Sequence, residues 1–336
     1  MTRNMRKWVA DTIASPVKQP LPILSFPSVQ LLDVSVRELV GSSELQAKGM
    51  KAVADRVPVA ATVSMMDLSV EAECFGSQIV FSDDEVPTVI GAVVSDEDEA
   101  DALAVPEVGA GRTNIYIDAV AKAVELIQDR PVFAGVIGPF SLAGRLMGVT
   151  DAMIYCYDEP DMVHTILQKV TQFTIAYCNA YKAVGANGVM MAEPLGGLLS
   201  PAMAEEFSHD YVKQIIDAVQ TDEFAVAYHN CGDNVPLMKK GIYNLGAMGY
   251  HFGDAIRMAD MLEGAPADAL VMGNVSPAFQ FRGGTPASIR EETLKVMGEC
   301  CVAPNFVISS GCDIPPMSSW ENADAFFAAA AEFYNK

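Results

Sequence analysis

Short apolar segments alternate with longer segments of helical periodicity along most of the chain. Eight of the short segments are almost continuous runs of Val, Ile, Ala and Met, without the apolar-polar alternation of a half-exposed strand. Continuous runs are typical of parallel strands that helices cover on both faces. The predicted strands span residues 57–65, 77–81, 131–138, 188–193, 224–231, 247–253, 269–275 and 305–312. A ninth run, 88–94, precedes a long acidic insertion and is interpreted as an excursion in the second connection.

Helices are predicted between these strands. Ser200-Pro201 and Thr285-Pro286 each place a capping hydroxyl directly before a proline at the first helical position. Eight repeats of strand and helix predict an α/β protein, a (β/α)8 TIM barrel. An open doubly wound sheet is the alternative, but no G-x-G-x-x-G follows the first strand and no G-x-x-x-x-G-K-[ST] occurs.

The first 50 residues precede the first predicted strand and contain Pro16, Pro20, Pro22 and Pro27. We expect residues 1–50 to form an N-terminal extension packed on the barrel. Residues 51–336 then form the barrel itself, since no linker divides them.

Composition and charge narrow the class of protein. The chain has 336 residues, of which 51% are hydrophobic, and this excludes a disordered chain. Its formal charge of −21 disfavours nucleic acid and anionic membranes as partners. The chain shows neither a signal peptide nor an apolar run long enough for a membrane helix, and its seven cysteines are an odd number. We therefore expect reduced thiols and a cytoplasmic protein.

Polar residues collect where the predicted strands end, and in a barrel the carboxyl ends of the strands form the active-site face. His229 and Cys231 are two residues apart, so they point to the same side of one strand. Cys312 ends the last predicted strand and can complete a His-Cys-Cys set. Such a set suits zinc, and its open fourth position is typical of a catalytic ion. A core histidine with two buried thiols is the alternative interpretation.

Five segments resemble the uroporphyrinogen decarboxylase superfamily, and within it the methylcobamide:coenzyme M methyltransferase branch. The resemblance covers about residues 50–336, and its most specific part is H-x-C followed by a lone Cys in S-G-C-D. The segments are MDLSVEAECFG (66–76), GANGVMMAEPLGGLLSP (185–201), YHNCGD (228–233), MGNVSP (272–277) and ISSGCDIPP (308–316).

The resemblance implies zinc held by His229, Cys231 and Cys312. It also implies transfer of a methyl group from a methylated corrinoid (methylcobamide) on a partner protein to a small acceptor such as the coenzyme M thiol. Tetrahydrofolate as acceptor, or an O- or N-methyl substrate as donor, is the alternative within this chemistry.

Other residues at the strand ends are further candidates, most of them with two interpretations. Glu193 is a fourth zinc ligand or caps its loop. His251 orients substrate or donates a proton, or is satisfied by a neighbour. Asp67 accepts the N–H of a metal ligand. Met65 and Met66 contact the corrin or fill the core, and Asn274 binds substrate or holds its loop.

Two further readings of the chain compete with methyl transfer. Uroporphyrinogen decarboxylase itself needs clustered arginines for a substrate with eight carboxylates, and the N-terminal region offers only Arg37 after its opening basic stretch. The second competing hypothesis is a non-enzymatic barrel that contains a structural zinc and binds a thiol or a corrinoid. Coenzyme M carries a sulfonate, so methylation of coenzyme M requires a cationic or amide-donor pocket at the mouth, for which Arg145 and Arg282 are the candidates. Without such a pocket the acceptor is another molecule.

Overall fold

The main sheet of the molecule is parallel throughout. The computed structural model describes residues 3–335. Seven strands form one curled sheet, which confirms the predicted TIM-barrel-like α/β fold. In order across the sheet they are β1 (Thr62–Val63), β4 (Val132–Ile137), β5 (Gly188–Ala192), β6 (Ala225–Asn230), β7 (Gly249–Phe252), β8 (Leu270–Val275) and β9 (Phe306–Ser310).

The second predicted strand, 77–81, is wrong as a barrel strand. Gln78–Val80 forms β2, which pairs antiparallel with β3 (Thr88–Ile90) in a separate two-stranded sheet. In each strand a half-buried central residue, Ile79 or Val89, lies between two exposed ones. That alternation belongs to a hairpin with one covered face, whereas the central strands of the barrel are buried along nearly all their length.

An extended N-terminal segment lies between the two edge strands of the main sheet. The backbone N–H of Leu21 donates to the carbonyl of Ile308 on β9 (3.0 Å), and Ala60, just before β1, donates to the carbonyl of Pro20 (2.9 Å). Ile23 N–H donates to Ser310 Oγ (3.1 Å). Residues 20–23 therefore bridge β9 and β1 at the position where an eighth strand closes a barrel.

Sixteen helices surround the sheet or cross its ends within the described residues. The predicted caps are confirmed: Ser200 accepts from Met203 N–H, and Thr285 forms a capping box with Ser288. The helices are α1 (Met5–Ala14), α2 (Ser28–Leu32), α3 (Val36–Val40), α4 (Ser43–Arg56), α5 (Val70–Cys74), α6 (Glu97–Ala102), α7 (Thr113–Leu126), α8 (Pro139–Met147), α9 (Val149–Asp158), α10 (Pro160–Ala183), α11 (Pro201–Ala204), α12 (Asp210–Val219), α13 (Lys239–Asn244), α14 (Met258–Leu262), α15 (Pro286–Cys300) and α16 (Trp320–Tyr334).

Two apolar clusters form the core. The larger one lies between the sheet and the surrounding helices. The smaller one fills the barrel interior, where Phe133, Met190 and Met272 meet Met5 and Val9 of α1. Helix α1 therefore covers the end of the barrel opposite the carboxyl ends of the strands. Within residues 3–335, none of the helices combines the length and apolarity that crossing a membrane requires.

The closing segment should contribute as strongly to stability as a core strand. Ile23 is fully buried, whereas Val17, six residues earlier, is 58% exposed. We expect Ile23→Ala to lower the free energy of unfolding by about 2–5 kcal/mol. The matched control Val17→Ala should change it by less than about 0.5 kcal/mol. Equal effects of the two variants in denaturant titrations would contradict this role of the segment.

Candidate metal centre at the barrel mouth

Three metal-ligating side chains meet at the carboxyl ends of the strands. His229 lies on β6, Cys231 directly follows that strand, and Cys312 follows β9. One ligand atom of each lies within 4.8 Å of the others, and Cys312 Sγ is 3.4 Å from His229 Nε2. His229 is buried and the two thiols are half-buried, so the trio faces the opening of the barrel.

Local backbone packing brings Cys231 into this position. A Cβ atom at Gly253 would lie 2.5 Å from the Cα of Cys231, so only glycine allows the two loops to approach this closely. Asn230 holds the turn after β6, because its Oδ1 accepts from Gly232 N–H (3.0 Å) and its Nδ2 donates to Tyr228 Oη (2.9 Å).

A chain of hydrogen bonds behind His229 determines which of its ring nitrogens faces the thiols. The carbonyl of Leu21 can only accept, so Ser309 Oγ donates to it (2.7 Å) and accepts from His251 Nε2 (2.7 Å). Burial, with His229 next to it, lowers the pKa of His251 well below its usual value, so His251 is neutral. Its bare Nδ1 then accepts from His229 Nδ1–H (2.8 Å). His229 therefore carries a proton on Nδ1 and turns Nε2 toward Cys312, which makes Nε2 the nitrogen available to a metal.

The two cysteine thiols interact across the site. The interaction with Cys312, and then the imidazole of His229, lower the pKa of Cys231 to about 4 despite its burial, whereas Cys231 and burial raise the pKa of Cys312. Cys231 is thus the more acidic of the two thiols.

The donor set fits zinc, because one imidazole nitrogen and two sulfurs are ligands that zinc prefers. A tetrahedral ion held by these three ligands would keep a fourth position open.

Glu193 serves the end of a helix. Its carboxylate accepts from the N–H groups of Phe140 (3.1 Å) and Ser141 (2.7 Å) in the first turn of α8, and from Ser141 Oγ (2.6 Å). It is fully buried, and burial raises its pKa to about 7 against these three donors. Glu193 thus caps α8 from the end of β5, and the metal-ligating trio forms without it.

Asp67 is occupied by an ion pair at the end of β1. Its Oδ2 accepts from Arg112 Nη1 (2.5 Å) and Tyr116 Oη (2.8 Å), and its Oδ1 accepts from Ser69 N–H (3.0 Å) and Oγ (2.5 Å). Arg112 also pairs with Glu73 (2.6 Å). The sequence suggested that Asp67 accepts the N–H of a metal ligand. In the structure, His251 is the residue that accepts the N–H of His229.

The structure places the other predicted residues in the packing around the mouth. Asn274 Nδ2 donates to the carbonyls of Gly253 and Ile256 (both 2.9 Å), so it holds the loop after β7. Met65 is buried in the outer core and Met66 in the barrel interior. Contact of these three residues with substrate or corrin stays a prediction.

Sequence reasoning missed Ser309, Leu21 and Ser141. The two serines are polar residues within or beside apolar runs, a pattern that can flag a buried hydrogen-bond partner. Nothing in the sequence marks Leu21, because it acts through its backbone carbonyl.

Fold and site together define a class: a parallel α/β barrel with one imidazole and two thiols at its mouth. The chain belongs to the uroporphyrinogen decarboxylase family, whose model, "Uroporphyrinogen decarboxylase (URO-D)", matches residues 23–333. The membership suggested by the sequence motifs is thereby confirmed.

Relatives of both activities are similarly distant. A uroporphyrinogen decarboxylase of Methylobacillus flagellatus is 25% identical over 90% of this chain and 87% of its own. A methylcobamide:CoM methyltransferase, MtbA, of Methanosarcina mazei is 26% identical over 80% of this chain and 78% of its own.

Two solved structures share the fold. A methyltransferase from Methanosarcina mazei superposes with a TM-score of 0.86 at 24% identity, covering 99% of both chains. A B12-independent methionine synthase from Shewanella sp. W3-18-1 gives a TM-score of 0.60 at 10% identity, over 95% of this chain and 96% of that one.

The hydrogen-bond chain predicts that His251 controls metal affinity without touching the metal. His251→Phe removes the acceptor of His229 Nδ1–H, so we expect the zinc affinity to fall by about 10- to 100-fold in chelator competition. His251→Asn keeps an acceptor oxygen and should restore part of the loss. His164→Phe is the control, because His164 stacks on Phe207 away from this chain of bonds. Unchanged affinity in His251→Phe would contradict the positioning role.

Proposed function

We propose that the protein is a zinc-dependent methyltransferase that moves the methyl group of a methylcobamide, carried by a corrinoid protein, to a thiol such as coenzyme M. The observation that carries the proposal is the trio His229, Cys231 and Cys312 at the mouth of the barrel. Zinc bound there would hold a substrate thiol as its thiolate at neutral pH.

The chain's own residues prepare this chemistry. His251 accepts the Nδ1–H of His229, which leaves Nε2 as the ring nitrogen that can bind the metal. The lowered pKa of Cys231 favours loss of its proton to a bound metal, so this thiol is the one that is prepared for ligation. In such a transfer, the substrate sulfur would form the new S–CH3 bond as the Co–C bond of the methylcobamide breaks. The electron pair of the Co–C bond would stay on cobalt, taking it from Co(III) to Co(I), and the thiol proton would go to solvent.

Ion pairing at the mouth argues against decarboxylation. A substrate with eight carboxylates requires several free cations, but Arg112 is committed to Asp67 and Glu73. Arg37, the arginine of the N-terminal region named above, pairs with Asp83 beside the β2–β3 hairpin. Since the two kinds of relative are equally distant, these contacts and the His-Cys-Cys trio favour methyl transfer.

The surface around the mouth supports docking of a second protein. Four exposed apolar side chains follow the carboxyl ends of β5, β6, β8 and β9, where a partner that delivers a corrinoid would sit. They are Leu198, Leu237, Phe279 and Met317.

A cytoplasmic location belongs to the same proposal. All seven cysteines are free thiols, as expected for a protein kept in a reducing compartment.

The direct test uses free methylcobalamin with the zinc-loaded protein and follows the cobalamin spectrum. We expect demethylation that requires both zinc and a thiol, and that stops after treatment with a chelator. The assay includes 2-mercaptoethanesulfonate, 2-mercaptoethanol and tetrahydrofolate as acceptors. A reaction with tetrahydrofolate alone would show that tetrahydrofolate, and not a thiol, is the acceptor. The absence of a zinc-dependent reaction with all three acceptors would refute the proposal.

A catalytic zinc should be separable from folding. In Cys312→Ser we expect the zinc content of the purified protein to fall to near zero while the melting temperature changes little, because the site lies at the half-buried mouth. Cys301→Ser is the matched control, since Cys301 is a half-buried thiol beside Tyr334. A collapse of thermal stability in Cys312→Ser alone would instead support a structural zinc.

A further inference from the structure

One half-buried cation at the barrel mouth has no partner among the described residues. All ten arginines lie within residues 3–335, and nine of them donate hydrogen bonds to other residues of the chain. The tenth, Arg145, is half-buried and forms neither a hydrogen bond nor an ion pair with a described residue, and its Nε atom is buried. Because a guanidinium that is partly removed from water without a partner is unfavourable, Arg145 is suited to an anionic partner.

Arg145 lies on the active-site side of the barrel. It belongs to α8, which begins directly after the carboxyl end of β4. Helix α8 contacts α5 and the 3-10 turn Leu195–Leu198, which follow the carboxyl ends of β1 and β5. The negative charges that act on Arg145 are those of Glu71 and Asp67, at the end of β1.

Neither of these carboxylates neutralises Arg145. Asp67 is already bonded to Arg112 and Tyr116. Glu71 accepts from Ile137 N–H (3.0 Å), and burial raises its pKa to about 7, so it is only partly ionised at neutral pH. Positive charge therefore remains available at this side of the mouth in a protein whose net charge is −21.

The metal-ligating trio is close to the same group of charges. Asp313 directly follows the ligand Cys312 and lies within electrostatic range of Asp67. Arg282, the other arginine that the sequence suggested, is exposed and donates to the carbonyl of Met317. The free cation is thus Arg145 and not Arg282.

We propose that Arg145 binds the anionic group of the thiol substrate and so selects acceptors that carry a sulfonate or a carboxylate. This inference rests on the proposed function. The planar guanidinium fork matches such oxyanions with two parallel hydrogen bonds, and it becomes paired only when the acceptor is bound.

Binding of an anion that lacks a thiol tests the site apart from the reaction. Ethanesulfonate and propionate are titrated calorimetrically into the zinc-loaded protein, with ethanol as the uncharged control. We expect Arg145→Gln to weaken binding of both anions by about tenfold or more, Arg145→Lys to retain part of it, and Arg282→Gln to bind as the wild type does. No anion binding by the wild type, or equal binding by wild type and Arg145→Gln, would overturn the proposal.

Kinetics with two thiols distinguish a failure of the Arg145 proposal from a failure of the proposed methyltransferase function. Arg145→Gln should raise KM for 2-mercaptoethanesulfonate and leave KM for 2-mercaptoethanol unchanged. If the wild type methylates both thiols with equal KM, the function stands and the role of Arg145 is refuted. If no thiol is methylated but ethanesulfonate binding still depends on Arg145, the anion site stands and the methyltransferase proposal fails.

Discussion

The pairing of residues 20–23 with both edges of the parallel sheet is the constraint on which the rest of the molecule depends. A curled sheet of seven strands leaves two rows of backbone donors and acceptors without partners unless something covers them. The segment bonds to β9 through Leu21 and, through Pro20, to Ala60, which lies two residues before β1. The same Leu21 residue accepts the hydroxyl of Ser309, from which the bonds to His251 and His229 continue. The segment that closes the barrel is therefore also the segment that orients the imidazole of His229.

Much of the site could be predicted from the sequence because it follows from strand geometry. His229 and Cys231 share a side by parity, and Cys312 joins them because parallel strands end at the same edge of a barrel. The barrel itself followed from the repeated apolar runs. The strand prediction was wrong for the run 77–81. This run is too short for its composition to distinguish a buried barrel strand from one strand of a hairpin.

The remaining features depend on contacts between distant segments. The closing strand position is filled by a segment whose prolines at 20 and 22 disfavour a strand assignment. The bond from Ser309 to Leu21 joins residues 288 positions apart. Glu193 has the burial and position of a ligand or an acid, and only the structure shows that its oxygens are used by the first turn of α8. No local pattern encodes such partners.

The carboxylate of Glu193 also links two elements of the mouth, β5 and α8. It fixes the start of α8 to the end of β5, and α8 carries Arg145. A buried acid whose oxygens are bonded to the first turn of α8 thus helps to fix where Arg145 lies relative to the trio. The protein is acidic overall, so no general excess of positive residues supplies a cation at the mouth. Arg145 lies there because Glu193 caps the helix that carries it.

The bonds between Leu21 and the β9 region also have a consequence for the order in which the protein matures. Leu21 is synthesised 288 residues before Ser309, and Cys312 lies shortly downstream of Ser309. A nascent chain holds His229 and Cys231 well before it holds the third thiol or the hydroxyl that orients His251. The three candidate ligands therefore come together only after synthesis has passed Cys312, and a chain that ends before Ser309 carries two of the three without the hydrogen bonds that orient the imidazole.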